Sequence, residues 1–82
     1  MLKKDLLELC LLQLLAGGDK YGYEVLTPLR AAFPDTQESA IYALLRGLGK
    51  EGYTEWYMAP GGGGPDRKYY RITSAGQTRL EE

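Results

Sequence analysis

The 82-residue sequence predicts a mostly helical α+β fold in one domain spanning residues 1–82. Three observations carry this. A leucine-rich N-terminal run and two further segments carry apolar residues at helical spacing. Two aromatic-rich runs near the C-terminus flank a Gly/Pro-rich stretch, as the strands of a hairpin do. A threonine and a serine then stand where a last helix would start. The predicted order is helix, helix, helix, two-stranded hairpin, start of a C-terminal helix.

The first helix is "DLLELCLLQLLAGG", Asp5 to Gly18, apolar on nearly every side and interrupted only by Glu8 and Gln13. It is too short to cross a bilayer, which places it in the core, with Cys10 as a small buried hydrophobe. Gly17 and Gly18 close it, because glycine accepts the left-handed backbone of a helix C-terminus. In "KYGYEVLTPLRAAFP", Tyr23, Leu26, Leu29 and Arg30 repeat at helical spacing before Phe33 and Pro34 end the second helix. Pro28 inside it should kink the helix or mark off a short first part. The third helix is predicted to start at Asp35, as an N-cap with Glu38 three residues on as its reciprocal partner. Ile41, Leu44, Leu45 and Leu48 form its apolar stripe, which leaves Ser39, Ala43, Arg46 and Lys50 on the far side with Tyr42 flanking them. Gly52 ends it.

Tyr53 to Met58 and Arg67 to Thr73 read as the two strands, with the glycines between them as a flexible tip. Alternation in the second strand sends Lys68, Tyr70 and Ile72 one way and Arg67, Tyr69 and Arg71 the other, with Ile72 and Tyr70 toward the core. Thr73 or Ser74 then caps the last helix.

Composition narrows the function. The chain has no histidine and one cysteine, so zinc sites and Ser-His or Cys-His catalysis lack their parts, and no motif implies a cofactor. The acidic side chains show no pairing beyond caps and solvated faces, so an enzyme is not expected. Met1 to Lys4 lack the features of a secretory signal, which points to the cytoplasm without membrane attachment. A net charge of -1 gives no global pull on nucleic acid, so such binding must come from a local cluster. A third helix joined to a basic hairpin supplies one. It is the arrangement of a winged helix-turn-helix, in which a helix enters the major groove of double-stranded DNA and the hairpin lies over the backbone or minor groove.

The stretches "YGYEVLTPL", "IYALLRGLGKEGY" and "GGPDRKYYRITSAGQTRL" together resemble the PadR-like family of winged-helix transcriptional regulators, over almost the whole chain. The resemblance rests on Gly22-Tyr23-Glu24, on Tyr42 followed by Leu45, Leu48 and Gly52, and on Tyr69-Tyr70-Arg71-Ile72-Thr73 followed by Gly76. It implies a bacterial repressor that binds a pseudo-palindromic operator as a homodimer and releases it when a small aromatic or drug-like effector binds. Tyr21 stands where the family usually has histidine, Ala43 where proline is frequent, and Gly47 and Gly49 where charged residues are common. Members carry further C-terminal helices that supply the dimer interface; this sequence ends near the start of that region, so either the chain is truncated or dimerisation uses another surface, for which the exposed part of the first helix is the substitute.

The expected DNA contacts follow from the helix-turn-helix geometry. Ser39, Tyr42, Ala43 and Arg46 face the major groove, with Arg46 able to pair with guanine and Tyr42 near phosphate. Lys20, Thr36 and Gln37 add phosphate contacts beside the start of the third helix. Arg67, Lys68 and Arg71 belong to the wing. Trp56 is either a cross-strand packing residue or a contact for the aromatic effector. The plainer readings are a solvated outer face on the third helix and a charged guard on an exposed strand edge. A winged-helix protein-interaction module without DNA binding is the alternative function.

Overall fold

The computed structural model describes residues 3–82. The elements are α1 (Lys3–Ala16), β1 (Lys20–Tyr21), α2 (Gly22–Ala32), α3 (Glu38–Lys50), β2 (Thr54–Ala59), β3 (Arg67–Ile72) and α4 (Ser74–Glu81). The expected helices and hairpin are all present. The two-residue strand β1 adds an element that the sequence pattern did not show, making an antiparallel three-stranded sheet in the order β1-β3-β2.

The core is built from leucines on three helices. Leu7, Leu11, Leu12 and Leu15 of α1 pack with Val25, Leu26 and Leu29 of α2 and with Ile41, Leu45 and Leu48 of α3. Only this stripe of α1 is fully enclosed. Cys10 is half-buried at the edge of the core rather than within it, because the neighbouring helices cover the Leu7–Leu11–Leu15 side. The helix stops where Gly18 takes φ +142°, a conformation that favours glycine.

Helix α2 runs through Pro28 as one element, so the proline does not mark off a separate first part. Three buried side chains, Val25, Leu26 and Leu29, anchor both sides of the proline against the core and outweigh the lost backbone donor. Tyr23, in the first turn of α2, is exposed and not part of the core. In the same turn, the Glu24 carboxylate accepts from the Tyr21 backbone N–H at 3.1 Å and fixes the turn out of β1.

Helix α3 starts two residues later than predicted. Gln37, not Asp35, is its N-cap, with extended backbone and no side-chain bond into the helix. A turn closed by Thr36 N–H donating to Phe33 C=O at 3.0 Å holds Asp35 outside the helix. At its C-terminus Gly52 takes φ +82°, while Tyr53 N–H reaches Leu48 C=O at 2.9 Å and Gly52 N–H reaches Gly49 C=O at 3.1 Å. These two bonds satisfy the last carbonyls of α3 and aim the chain into β2.

Thr73 joins three elements. Its hydroxyl donates to Gly52 C=O at 2.6 Å and accepts from Gly76 N–H at 3.0 Å, so one side chain ties the end of α3 to the cap of α4. Gly76 is buried there, and a Cβ at this position would run into the Tyr53 carbonyl. Arg79 then bonds Glu8 at 3.1 Å and secures α4 against α1.

A candidate nucleic-acid interface

Helix α3 turns Ile41, Leu45 and Leu48 inward, which leaves Ser39, Ala43, Arg46 and Lys50 exposed along its outer side, as the helical spacing requires. Tyr42 is half-buried at the flank. Its hydroxyl lies 3.0 Å from where a Cβ on Gly22 would stand, so glycine at the start of α2 lets α2 and α3 approach at the Tyr42 ring.

The hairpin register sorts the wing into two unlike faces. Trp56 pairs with Tyr70, Met58 with Lys68, and Thr54 with Ile72; β1 adds Lys20 opposite Tyr70. These seven side chains share one face. Tyr70 and Ile72 on this face pack against the core. The Tyr70 hydroxyl is held above the ordinary tyrosine range chiefly by burial and then by the neighbouring Tyr42, while Arg46 pulls it the other way. Lys68 lies on the same face, with its ammonium 4.3 Å from the Trp56 ring centre and 5.6 Å from that of Tyr70. Lysines are the only charged strand residues on this face.

The opposite face is self-compensated. Arg71 clamps its cross-strand partner Glu55 through Nε at 3.2 Å and Nη2 at 3.0 Å, and lies over the Tyr57 ring at 5.3 Å. Arg67 folds over the Tyr21 ring at 4.4 Å. Tyr57, stacked on Tyr69, donates to the Asp19 carboxylate at 2.6 Å, and this bond holds its hydroxyl above the ordinary range. The wing cations divide between the faces as the alternation predicts: Lys68 lies with Trp56 and Tyr70, Arg67 lies on the far side of the sheet, and Arg71 is paired with Glu55.

One other expected contact, Thr36, is placed differently. Thr36 is only 6% exposed and its hydroxyl has no partner, so it lies beneath the surface that a phosphate would reach. The Lys20 ammonium sits 3.5 Å from the Gly18 carbonyl, at the sheet edge. Gln37 is exposed at the α3 N-terminus, beside the backbone donors left free there. Trp56 is 57% exposed on the Lys68 face. It lines neither the cavity of about 830 Å³ between α1, α3 and α4 nor the apolar groove between α1, α2 and α4. Among the described residues no group of histidine, cysteine, aspartate and glutamate side chains is placed to hold a metal ion, and no helix is long and apolar enough to cross a membrane.

Three core helices, a cationic outer face on the third and a hairpin laid beside it define a winged helix-turn-helix of the DNA-binding class. Comparison with known proteins carries this further. Residues 11–82 match the transcriptional regulator PadR-like family. A PadR-like transcriptional regulator from Bacillus cereus superposes with a TM-score of 0.87 at 39% identity, over 95% of this chain and 77% of that one. A PadR-family regulator from Clostridium difficile superposes with a TM-score of 0.82 at 26% identity, over 92% of this chain and 79% of that one. Bacillus subtilis PadR, solved in complex with operator DNA, superposes with a TM-score of 0.77 at 25% identity, over 93% of this chain and 45% of that one. An uncharacterised protein of Lysinibacillus sphaericus is 34% identical over 79 residues, which span 93% of this chain and 72% of that protein. The chain belongs to the PadR-like family and is a DNA-binding transcriptional regulator.

Proposed function

We propose that α3 enters the major groove of an operator duplex with Ser39, Ala43 and Arg46 toward the bases and Tyr42 toward a phosphate. The Lys68 face of the wing, not its Arg71 face, turns to the same duplex. One observation carries this reading: Lys68 lies on the sheet face whose charged strand residues are all positive, in a hairpin whose strand β2 packs directly against α3. Cations whose charge is already matched by a carboxylate release few counterions on meeting a phosphate, whereas unmatched ones drive binding. Gln37, with the free backbone donors at the start of α3, and Lys20 add phosphate contacts; Thr36 acts beneath them as a packing residue.

The regulator acts in the cytoplasm as a homodimeric repressor, without catalysis. Homodimerisation is supported by the apolar groove lined by Leu9, Cys10, Leu14 and Leu80, which leaves one side of α1 without a full cover. Release by a small effector fits the cavity beside α3 better than it fits Trp56, because that cavity touches the helix at Gln37, Ala40 and Ala43 and includes the unpartnered Thr36.

The test is duplex binding, followed by fluorescence anisotropy on labelled fragments of the DNA upstream of the chain's own gene. Arg46→Ala should weaken binding about tenfold or more, the size of a lost base or phosphate contact. Arg71→Gln should change it by less than about twofold, since its charge is already matched. Equal effects from the two would overturn the assignment of faces.

A further inference from the structure

The wing carries an apolar pair that neither the core nor the cationic surface explains. Trp56 is 57% exposed and Met58 is 53% exposed, both on β2 and both on the Lys68 face of the sheet. Large exposed apolar side chains that lie side by side mark an interaction surface. Their cross-strand partners are Tyr70 and Lys68.

We propose that Trp56 and Met58 contact the duplex itself, lying against the deoxyriboses and base edges of the minor groove beside the major groove that α3 enters. This rests on the DNA-binding reading above and adds an apolar, sequence-tolerant contact to it. Two observations select DNA as the occupant. The charge of this face is complementary to DNA: its strand residues include Lys20 and Lys68 and no carboxylate, whereas Glu55 and the nearby Asp19 carboxylate serve the other face. The pair also lies on β2, the strand that packs against α3. Wings and arms that enter a minor groove press apolar side chains against the sugars and base steps, and Lys or Arg beside them meets the flanking phosphates. Lys68 is placed for that second task. Its ammonium rests over the Trp56 ring in the free protein and needs only a side-chain rotation to reach a phosphate, which uncovers the indole.

Trp56 is the single tryptophan of the chain, so its emission reports on this site alone. The experiment follows tryptophan emission and duplex anisotropy together, in wild type, Trp56→Phe and Trp56→Ala, on duplexes tiling the upstream DNA of the chain's own gene. Saturation with duplex should quench and blue-shift the wild-type emission. Trp56→Ala should weaken binding about tenfold, in line with the loss of one aromatic contact to nucleic acid, while Trp56→Phe stays within about threefold of wild type. Circular dichroism of both variants should match wild type, since the side chain is more than half exposed. Duplex binding with unchanged emission, and with full affinity in Trp56→Ala, overturns this inference and leaves the DNA-binding reading standing. Emission that shifts with protein concentration in the absence of duplex means that a second copy covers the face, and also overturns it. Absence of duplex binding by wild type overturns both.

Discussion

At the scale of single residues, polar groups on the wing are informative only with their partners. Arg67, Lys68 and Arg71 look alike in the sequence, and the alternation that separates Lys68 from its neighbours was legible there. What was not legible is that Glu55 faces Arg71, because that pairing depends on the register set across the glycine-rich loop. The same holds for Thr36. A threonine just after Pro34 and Asp35 suggested a phosphate contact, yet the turn to Phe33 carries it inward and leaves its hydroxyl without a partner. Burying an unpaired hydroxyl costs about 1–3 kcal/mol, and valine has nearly the same shape. Thr36→Val should therefore raise stability by about 1 kcal/mol in urea unfolding and leave duplex affinity unchanged. A loss of affinity would show that the hydroxyl serves a ligand or a phosphate.

At the scale of elements, the helices were readable because each has a long apolar stripe, and the hairpin because two aromatic runs flank glycines. Strand β1 was not, since two residues carry no periodicity and Lys20–Tyr21 gain their strand character only by pairing with Tyr69 and Tyr70. The start of α3 was misplaced for a related reason: Asp35 and Glu38 have capping-box spacing, but the turn closed by Phe33 and Thr36 uses the backbone otherwise. Two glycines in the C-terminal half should behave in opposite ways. Gly76 is pressed against the Tyr53 carbonyl where α4 docks, so Gly76→Ala should destabilise the fold by about 1–3 kcal/mol through overpacking. Gly47 in α3 has no atom within 4 Å of an added Cβ, so Gly47→Ala should stabilise it by about 1 kcal/mol through helix propensity. Thermal melts of the two variants check both signs. A destabilised Gly47→Ala would mean that α3 is not a regular helix at that point.

At the scale of the whole molecule, a chain with net charge -1 binds a polyanion only by segregating its charges. The sheet does this: Glu55 lies on one face with Arg71, and Lys20 and Lys68 are the charged strand residues of the other. The family resemblance and the order of elements were both readable from motifs spread over the chain. Which side of the wing meets DNA was not, because it depends on which sheet face packs against the helices and which cations find carboxylates. With about three to five phosphates neutralised per protomer, a dimer should show a log-log slope of affinity against salt on the order of -5 to -9. That slope, measured by duplex anisotropy for wild type, Lys68→Gln and Arg71→Gln, tests the assignment of faces most directly. Lys68→Gln should make the slope shallower by about one for each protomer bound, and Arg71→Gln should leave it where it was. A shallower slope for Arg71→Gln with none for Lys68→Gln would place the duplex on the other side of the sheet and contradict the interface described above.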